Sequence, residues 1–453
     1  MRANHSNFIE LLKTRFLQSG DSKALVFRGK SISFKQLLNN IDTVSNNLKS
    51  HGIKRGHVVI LNADYCFNAV FALLALIEFK AIIVPMLPKS FPKLEKSIWK
   101  LNPEFIVKIC EDGIVDIKKL RSAKIADPLI KRLKEDRVTG LVLFTSGSSG
   151  EPKGVVHNFD LLLEKFKNQR SALKTLNFLV FDHWGGLNTL LYGLSNCALV
   201  VLPENRKPDY ICSLILENQI ELLPVTPSFL NLLIASQCWK KYDLNCLKVI
   251  TYGAEPMPQA TLKKIGAILP NVDFRQTYGL IELGVLRAKS RNNSSLWVKL
   301  GGEGYDLRVV DGILQIKANS AMLGYLGLPS PFTSDGYFVT GDMVEVDGEY
   351  FRILGRDSEI INVGGEKVFP SEVEAALLEC DNVKDVLVYG EQHPILGQIV
   401  CAKVTTEAPE PIHSLRTRLK RSCKDCLESY KVPVKIYNFD REMYGSRLKK
   451  IRT

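Results

Sequence analysis

Residues Leu141 to Asn158 read LVLFTSGSSGEPKGVVHN, and this stretch decides how the chain is interpreted. An apolar run ends at Phe144, and small or hydroxyl-bearing residues follow it before Pro152 and Lys153. Small residues let backbone N–H groups approach phosphate oxygens closely, hydroxyls add donors, and a lysine adds positive charge. A Ser/Gly run is also typical of flexible linkers, but here a strand and a Pro-Lys-Gly bound it. The spacing differs from the GxxxxGKS/T loop, so we predict a phosphate-binding loop of another kind.

Segments with strand-like and helix-like patterns alternate on both sides of this loop. Such alternation predicts an α/β fold with mostly parallel sheets flanked by helices. The predicted buried strands are Val58 to Asn62, Gly140 to Phe144, Leu199 to Leu202 and Leu247 to Thr251, and the predicted helices include Ser33 to Ser50, Lys207 to Asn218 and Pro227 to Ala235.

The apolar stretch from Phe67 to Pro88 has the length of a membrane span, but Glu78 and Lys80 interrupt it in the middle. A spanning helix needs about 20 predominantly apolar residues with few charges. We therefore predict a buried helix from Asn68 to Phe79, then a buried strand from Ala81 to Val84, and no transmembrane segment.

The texture of the sequence changes near Gly301, where short strands begin to follow one another directly. Asp311-Gly312 and Asp347-Gly348 lie between strand pairs, as is typical of hairpin turns. With 453 residues the chain exceeds a single core, so we predict an N-terminal domain at 1–355, including a β-rich subdomain at 301–355, and a small domain at 356–453. The predicted strands of the subdomain are Tyr305 to Val310, Ile313 to Lys317, Met343 to Val346 and Tyr350 to Ile353.

The chain is basic, with 60 Lys and Arg against 48 Asp and Glu and a formal net charge of +12. Such a charge favours anionic partners, among them nucleotides, coenzyme A, acidic carrier proteins, nucleic acids and anionic membranes. No RNA-binding signature or zinc-ligand spacing accompanies it, so we expect no nucleic-acid partner. The ten cysteines are scattered; Cys423 and Cys426 form one CxxC without a second pair and are interpreted as packed or solvated thiols. Residues 1–12 lack an apolar core of signal length, which predicts a cytoplasmic protein.

The segment Thr145 to Gly154, TSGSSGEPKG, resembles the phosphate-loop signature of the adenylate-forming superfamily. That superfamily includes acyl-CoA synthetases, aryl-acid and amino-acid adenylation domains, and beetle luciferases. Further segments resemble its other motifs in the same order, so that the resemblance covers nearly the whole chain. These segments are YGAEP at 252–256, QTYGLIE at 276–282, YFVTGD at 337–342 and GRDSEIINVGGEK at 355–367.

The resemblance implies a role for each matching residue. Tyr278 stacks on adenine, Glu282 helps to hold Mg²⁺ with Thr145, Asp342 accepts from the ribose hydroxyls, and Arg356 reaches ribose or phosphate. An aromatic ring four residues before a carboxylate independently suits a base beside a metal–phosphate site. The less specific alternatives are an edge-strand Tyr, a solvated Glu and a turn-capping Asp. The other implied nucleotide-binding residues are Thr145, Ser146, Gly147, Ser148, Ser149, Gly150, Lys153, Gly253, Ala254, Glu255, Thr277 and Gly279.

Two positions depart from the family pattern. Ile281 stands where the family usually has a Thr that contacts the α-phosphate, and the lost hydrogen bond is worth about 1–3 kcal/mol unless Thr277 replaces it. Ser358 stands at the pivot, where Asp or Lys is usual, and Ser tolerates the φ/ψ change of a hinge. The resemblance implies that the small α+β C-terminal domain is mobile about this hinge and swings the Gly364-Gly365 loop into the site.

The end of the chain should carry the lysine that the family uses during adenylation. Three residues compete for this role, Arg447, Lys449 and Lys450, and we assign it to Lys449 by counting from Tyr430-Lys431-Val432-Pro433 without gaps. The alternative is a basic, solvated tail.

The segment Phe181 to Leu187, FDHWGGL, resembles the FHxGGL segment of acyl-CoA synthetases. His183 would then stand near the carboxylate and the thiol path, and Trp184 would wall the acyl pocket. A core His and a core Trp are the alternatives. Asp182 would suit the α-amine of an amino acid, but the His-x-Gly-Gly match favours a plain acid.

Together these features predict an ATP- and Mg²⁺-dependent ligase of the acyl-CoA synthetase type. It would convert a small carboxylic acid to an acyl-adenylate and pass the acyl group to a thiol, that of CoA or of phosphopantetheine. The alternatives are an adenylation enzyme that loads an acyl carrier protein, a weakly active nucleotide- or acyl-binding relative, and a luciferase-like oxygenase.

Overall fold

The computed structural model describes residues 8–109, 115–120, 127–145 and 152–439 of the chain. Helices are α1 Phe8–Ser19, α2 Phe34–Ser50, α3 Phe67–Glu78, α4 Phe91–Trp99, α5 Pro128–Asp136, α6 Phe159–Leu163, α7 Trp184–Ser195, α8 Pro208–Asn218, α9 Pro227–Ser236, α10 Gln259–Ile268, α11 Pro370–Leu378 and α12 Ile412–Cys426. Strands are β1 Lys23–Phe27, β2 Lys30–Ser33, β3 Val58–Asn62, β4 Ile82–Met86, β5 Phe105–Ile109, β6 Val115–Lys119, β7 Gly140–Phe144, β8 Gly154–Asn158, β9 Thr175–Leu176, β10 Val200–Leu202, β11 Leu222–Val225, β12 Val249–Tyr252, β13 Asp273–Gln276, β14 Gly279–Leu280, β15 Gly284–Val285, β16 Arg287–Ser290, β17 Trp297–Gly301, β18 Tyr305–Val310, β19 Ile313–Ala318, β20 Gly324–Tyr325, β21 Phe338–Asp347, β22 Tyr350–Arg356, β23 Ile361–Val363, β24 Glu366–Val368, β25 Val383–His393, β26 Gly397–Thr406 and β27 Lys435–Asn438.

The first large sheet has the strand order β13-β12-β11-β9-β10-β1-β2. Its pairs are parallel except for the β1–β2 hairpin. The carboxyl ends of parallel strands meet at one edge, which is where open α/β sheets bind ligands. The segments that follow β13, β12, β11, β9 and β10 therefore lie side by side at this edge.

The second large sheet has the order β20-β8-β7-β4-β3-β5-β6. Its centre is parallel, and β7 and β8 form an antiparallel hairpin that carries the predicted phosphate loop. Helix α3 packs with both large sheets in one core and is buried from Ala69 to Ile77, because its residues are apolar on every face. The predicted buried helix and strand are thus α3 and β4. Within the described part of the chain, no helix is long and apolar enough to cross a membrane.

Local sequence signals explain where several helices begin. Helix α2 starts one residue after the predicted Ser33, because the Ser33 side chain accepts from Gln36 N and the Gln36 side chain accepts from Ser33 N. This reciprocal pair is a capping box, which satisfies two N–H groups that the helix itself leaves unpaired. Helix α9 begins with Pro227 after Thr226, whose side chain accepts from Phe229 N.

An antiparallel sheet of order β16-β17-β22-β21-β19-β18 forms the β-rich region. It starts at Arg287, before the predicted boundary at residue 301, because β16 and β17 pair with strands further along the chain. Asp311, Gly312 and Gly348 have φ of 52°, 77° and 59°, as hairpin turns of this kind require. The predicted turns are confirmed.

The C-terminal part pairs β24-β23-β26-β25, with β27 parallel to β26, and packs α11 and α12 against this sheet. Cys423 is buried in this core and Cys426 is exposed. In the described residues no cluster of three or more His, Cys, Asp or Glu could hold a metal. With its helix-flanked sheets, β-rich region and smaller C-terminal part, the predicted α/β fold class is confirmed.

Candidate functional site

The hairpin of β7 and β8 presents the predicted phosphate loop. Phe144 pairs with Gly154, and Thr145 N donates to Lys153 O over 3.0 Å, which closes the base of the loop. Thr145 and Lys153 therefore lie beside each other at the loop's two ends. Ser146, Gly147, Ser148, Ser149 and Gly150 lie outside the described residues.

Tyr325 links Lys153 to Glu282. The Lys153 ammonium lies 5.3 Å from the centroid of the Tyr325 ring, and the Tyr325 hydroxyl donates to Glu282 Oε1 over 2.8 Å. Burial and the neighbouring Glu282 carboxylate raise the pKa of Tyr325, so the hydroxyl stays a donor. Sequence reasoning missed Tyr325, because its position depends on β20 pairing with β8, where Tyr325 lies opposite Val155.

A second group joins three of the predicted nucleotide-binding residues. The Tyr278 hydroxyl donates to Asp342 Oδ2 over 2.5 Å, and Arg356 Nε lies 2.7 Å from Asp342 Oδ1. Arg356 also donates to Thr340 O over 3.0 Å. Asp342 and Arg356 face each other across β21 and β22, which explains how residues 14 positions apart meet. Burial, with Asp342 alongside, holds the pKa of Tyr278 well above its usual value.

The loops after β12 and β13 pack tightly together. A Cβ at Gly253 would lie 2.5 Å from Thr277 O, so only glycine fits there. The Thr277 hydroxyl donates to Tyr252 O over 3.1 Å. Glu255 is not among the residues that line the cavity described below. Its carboxylate accepts from the Ser228 hydroxyl at the start of α9 over 2.5 Å. It therefore stabilises the first turn of that helix.

His157 ties the phosphate hairpin to the segment that contains Glu282. Its ring is fully buried on β8, and Nε2 lies 2.7 Å from the carbonyl oxygen of Ile281. Burial lowers the pKa of His157 to about 4, so the ring is neutral and Nε2 carries the proton that it donates. Ile281 itself is buried, and sequence reasoning did not single out His157 because a histidine in an apolar strand has no local signature.

A cleft with an empty volume of about 900 Å³, including its open mouth, lies along the carboxyl edge of the first large sheet. His183 and Trp184 line it, together with Gly253, Ala254, Thr277, Gly279 and Ile281. The acyl-pocket segment and the nucleotide segments, predicted separately from the sequence, thus share one cavity.

Helix α7 begins at this cavity. His183 is its N-cap, and its Nδ1 accepts from Gly185 N over 3.1 Å. A Cβ at Gly186 would lie 2.1 Å from Val180 O, so the close approach of the helix requires glycine. Trp184 is 2% exposed. Asp182 is buried and accepts from the Ser90 hydroxyl over 3.1 Å, and it is not among the residues that line the cavity.

Two family models match the chain. The model described as AMP-binding enzyme matches residues 12–337, and the model described as AMP-binding enzyme C-terminal domain matches residues 372–446. This chain belongs to the AMP-binding enzyme family. The predicted family is confirmed.

The chain is also similar in sequence to CoA ligases and in fold to solved structures. The chain is 26% identical to indoleacetate–CoA ligase of Aromatoleum aromaticum, over 95% of this chain and 93% of the relative. It is also 26% identical to 2-succinylbenzoate–CoA ligase of Bacillus licheniformis, over 97% of both chains. The fold matches the anthranilate CoA ligase AuaEII in complex with anthranoyl-AMP at a TM-score of 0.83 and 21% identity, covering 99% of this chain and 96% of that one.

The predicted hinge lies where β22 ends. Arg356 is the last residue of that strand, and Ser358 follows in a short exposed turn. Gly364 and Gly365, with φ of 63° and 97°, form the turn between β23 and β24. The C-terminal part touches the larger part through Lys264 Nζ and Leu378 O, 3.3 Å apart. Arg447, Lys449 and Lys450 lie outside the described residues.

Proposed function

We propose that this AMP-binding enzyme is an acyl-CoA ligase: it joins a carboxylic acid to AMP, releases pyrophosphate, and then transfers the acyl group to the thiol of CoA. The observation that carries the proposal is the shared cavity, which the start of α7 and the segments after β12 and β13 line together. One cavity can hold the acid against the α-phosphate of a nucleotide bound at those segments. The CoA-ligase names of the relatives support the same reaction.

In the first half-reaction the carboxylate attacks the α-phosphate of ATP. Lys153 would hold the departing phosphates, while Asp342 and Arg356 would hold the ribose end. Asp342 is already fixed by Tyr278 and Arg356, so binding costs little reorganisation. Lys449 is the proposed cation that bridges the attacking carboxylate and the α-phosphate.

The described residues suit a magnesium ion that takes most of its ligands from phosphates and water. Glu282 and Thr145 would hold the ion, which would supply positive charge against the triphosphate. Tyr325 occupies Glu282 Oε1 and thereby orients the carboxylate. Among the described residues Oε2 has no hydrogen-bond partner, so it remains available as a ligand.

In the second half-reaction the CoA thiolate attacks the acyl carbon and AMP leaves. We propose that the part after Arg356 rotates about Ser358 between the two steps and brings the Gly364-Gly365 turn to the site. His183, which lines the cavity, would lie along the path of the thiol. The phosphopantetheine of a carrier protein remains the alternative acceptor.

A panel assay tests the proposal. Pyrophosphate release is measured for aliphatic, aryl and amino acids with ATP and Mg²⁺, and AMP and acyl-CoA are then measured after CoA or a carrier protein is added. We expect acid-dependent pyrophosphate release and a CoA thioester. Absence of acid-dependent pyrophosphate release across the panel, or ADP as the product, would overturn the proposal, and acyl transfer to the carrier alone would establish the alternative acceptor.

A further inference from the structure

Arg206 lies in the wall of the acyl cavity, four residues after β10 ends. Its Nε donates to Phe178 O over 2.6 Å, which fixes the guanidinium plane against the loop after β9. Its Nη2 is buried and has no hydrogen-bond partner among the described residues. A guanidinium has five N–H donors and stays positively charged at any physiological pH. Nη2 is therefore a buried donor that belongs to a charged group.

The charge of Arg206 is not neutralised by a neighbour in the described part of the chain. Among those residues no carboxylate forms an ion pair with Arg206, and Glu204, two residues away, pairs instead with Arg28 at 2.5 Å. None of the described residues that line the cavity is acidic, and Arg206 is the only Lys or Arg among them. The Arg206 side chain is half-buried overall, but a buried donor nitrogen without a partner is costly, and an anionic ligand would offset that cost.

The position of Arg206 in the sheet places it far from the nucleotide segments. The strand order β13-β12-β11-β9-β10 puts Gly253 and Thr277, after β12 and β13, at one end of the carboxyl edge and Arg206 at the other. Three strand steps separate β12 from β10, or about 14 Å at the usual spacing between neighbouring strands. An acid whose reacting carboxyl group lies at the nucleotide end therefore extends along the cavity toward Arg206.

We propose that Arg206 is a binding site for a second carboxylate, and that the substrate is accordingly a dicarboxylic acid, aliphatic or aryl. The reacting carboxylate lies at the nucleotide end, and the distal carboxylate accepts from Nη2 of Arg206. The inference rests on the proposed function and names the class of its substrate. It accounts for a buried guanidinium nitrogen without a partner in a cavity whose other described lining side chains are neither acidic nor Lys or Arg.

The experiment compares each dicarboxylic acid with its monomethyl ester and with the monocarboxylic acid of equal length, over a series of chain lengths and aryl diacids. The ester keeps the size and the carbonyl of the distal group and removes its charge. We expect the wild-type kcat/KM for acyl-CoA formation to be at least tenfold higher for the best diacid than for its ester. Equal values for the diacid and its ester would overturn the proposal, whatever any variant does.

The variants assign the preference to Arg206. In Arg206→Leu the diacid-to-ester ratio should fall at least tenfold, and in Arg206→Lys it should be partly kept because the charge remains. Arg132→Leu is the matched control, since Arg132 is exposed on α5 and pairs with Asp136. A ratio that is unchanged in Arg206→Leu would overturn the assignment.

Two further measurements distinguish a loss of folding from a loss of diacid binding. Arg206→Leu loses the hydrogen bond from Nε to Phe178 O, so circular dichroism is used to check that this variant folds. Arg206→Gln is a second neutral variant, and its side-chain amide can still donate hydrogen bonds. Binding of the diacid and of its ester to the wild-type protein is also measured by calorimetry, without turnover. If no acid at all is activated, the proposed function fails; if monocarboxylic acids are activated as well as diacids, only the Arg206 proposal fails.

Discussion

The predicted nucleotide site and the acyl end of the cavity are built in different ways. At the nucleotide site the functional side chains hold one another: Tyr278 and Arg356 both bind Asp342, and Tyr325 binds Glu282 beside Lys153. At the acyl end the hydrogen bonds run to the backbone: His183 accepts from Gly185 N at the start of α7, and Arg206 donates to Phe178 O from a loop. Side chains that bond to one another keep a fixed geometry for one ligand, whereas side chains that are each held by the backbone can be exchanged to suit a different acid.

The largest effect should come from the nucleotide end. Lys153→Ala removes a charge that we place on the departing phosphates, and loss of one such contact typically costs about 10²- to 10³-fold in kcat. Pyrophosphate release under saturating acid measures it. Lys131→Ala is the control, because Lys131 is exposed on α5. Equal rates in the two variants would show that the phosphates are held elsewhere.

Breaking the group of side chains around Asp342 should affect both binding and stability. Asp342→Asn removes the charge that pairs with Arg356 and weakens the bond from Tyr278. Because the Arg356 side chain is half-exposed, we expect a loss of about 1–3 kcal/mol in the free energy of unfolding, together with a higher KM for ATP. Denaturant unfolding and ATP titration test it, and Asp347→Asn, at an exposed pair with Arg291, is the control. An unchanged KM for ATP would show that Asp342 does not bind the ribose.

The hydrogen bond from His157, on the phosphate hairpin, to Ile281 O should make the free energy of unfolding depend on pH in the acidic range. The pKa of His157 falls from 6.5 to about 4 on burial, so the unfolded chain takes up the proton at a higher pH than the folded one. The stability that His157 contributes is therefore fully present above about pH 6.5 and is lost as the pH falls toward 4, by about 3 kcal/mol in total. Urea unfolding at several pH values should show this slope, and His157→Gln should flatten it. A slope that the variant keeps would assign the effect to other groups.

The same contrast explains what could be predicted from the sequence. The alternating pattern predicted α3, β4 and the parallel centre of both large sheets, because burial on every face leaves continuous apolar runs. Tyr278, Asp342 and Arg356 could be singled out by their motifs, although not their mutual bonds, which depend on the register of β21 and β22.

Tyr325 and Arg206 could not be predicted. Tyr325 reaches Glu282 only because β20 pairs with β8, and Arg206 lines the cavity only because β10 lies beside β9. Neither pairing has a signal in the residues themselves. Contacts that join distant segments through sheet order are therefore the part of the site that requires the structure.

The smallest effect is expected at Ile281, which belongs to a predicted nucleotide segment and also lines the cavity. Its side chain lines the cavity and is buried, while its carbonyl accepts from His157. Ile281→Thr would add a hydroxyl next to the place where we put the α-phosphate and leave the backbone bond in place. The added donor should preserve the rate of pyrophosphate release or raise it a few-fold, against a small loss of stability from replacing an apolar side chain.

The control is Ile281→Val, which shortens the side chain without adding a donor and so separates the effect of the hydroxyl from the effect of the change in volume. A rate in Ile281→Thr well below that of Ile281→Val, with both proteins folded by circular dichroism, would mean that the cavity at this point is adapted to an apolar part of the acid. The boundary between the fixed nucleotide end and the variable acyl end would then lie on the nucleotide side of Ile281.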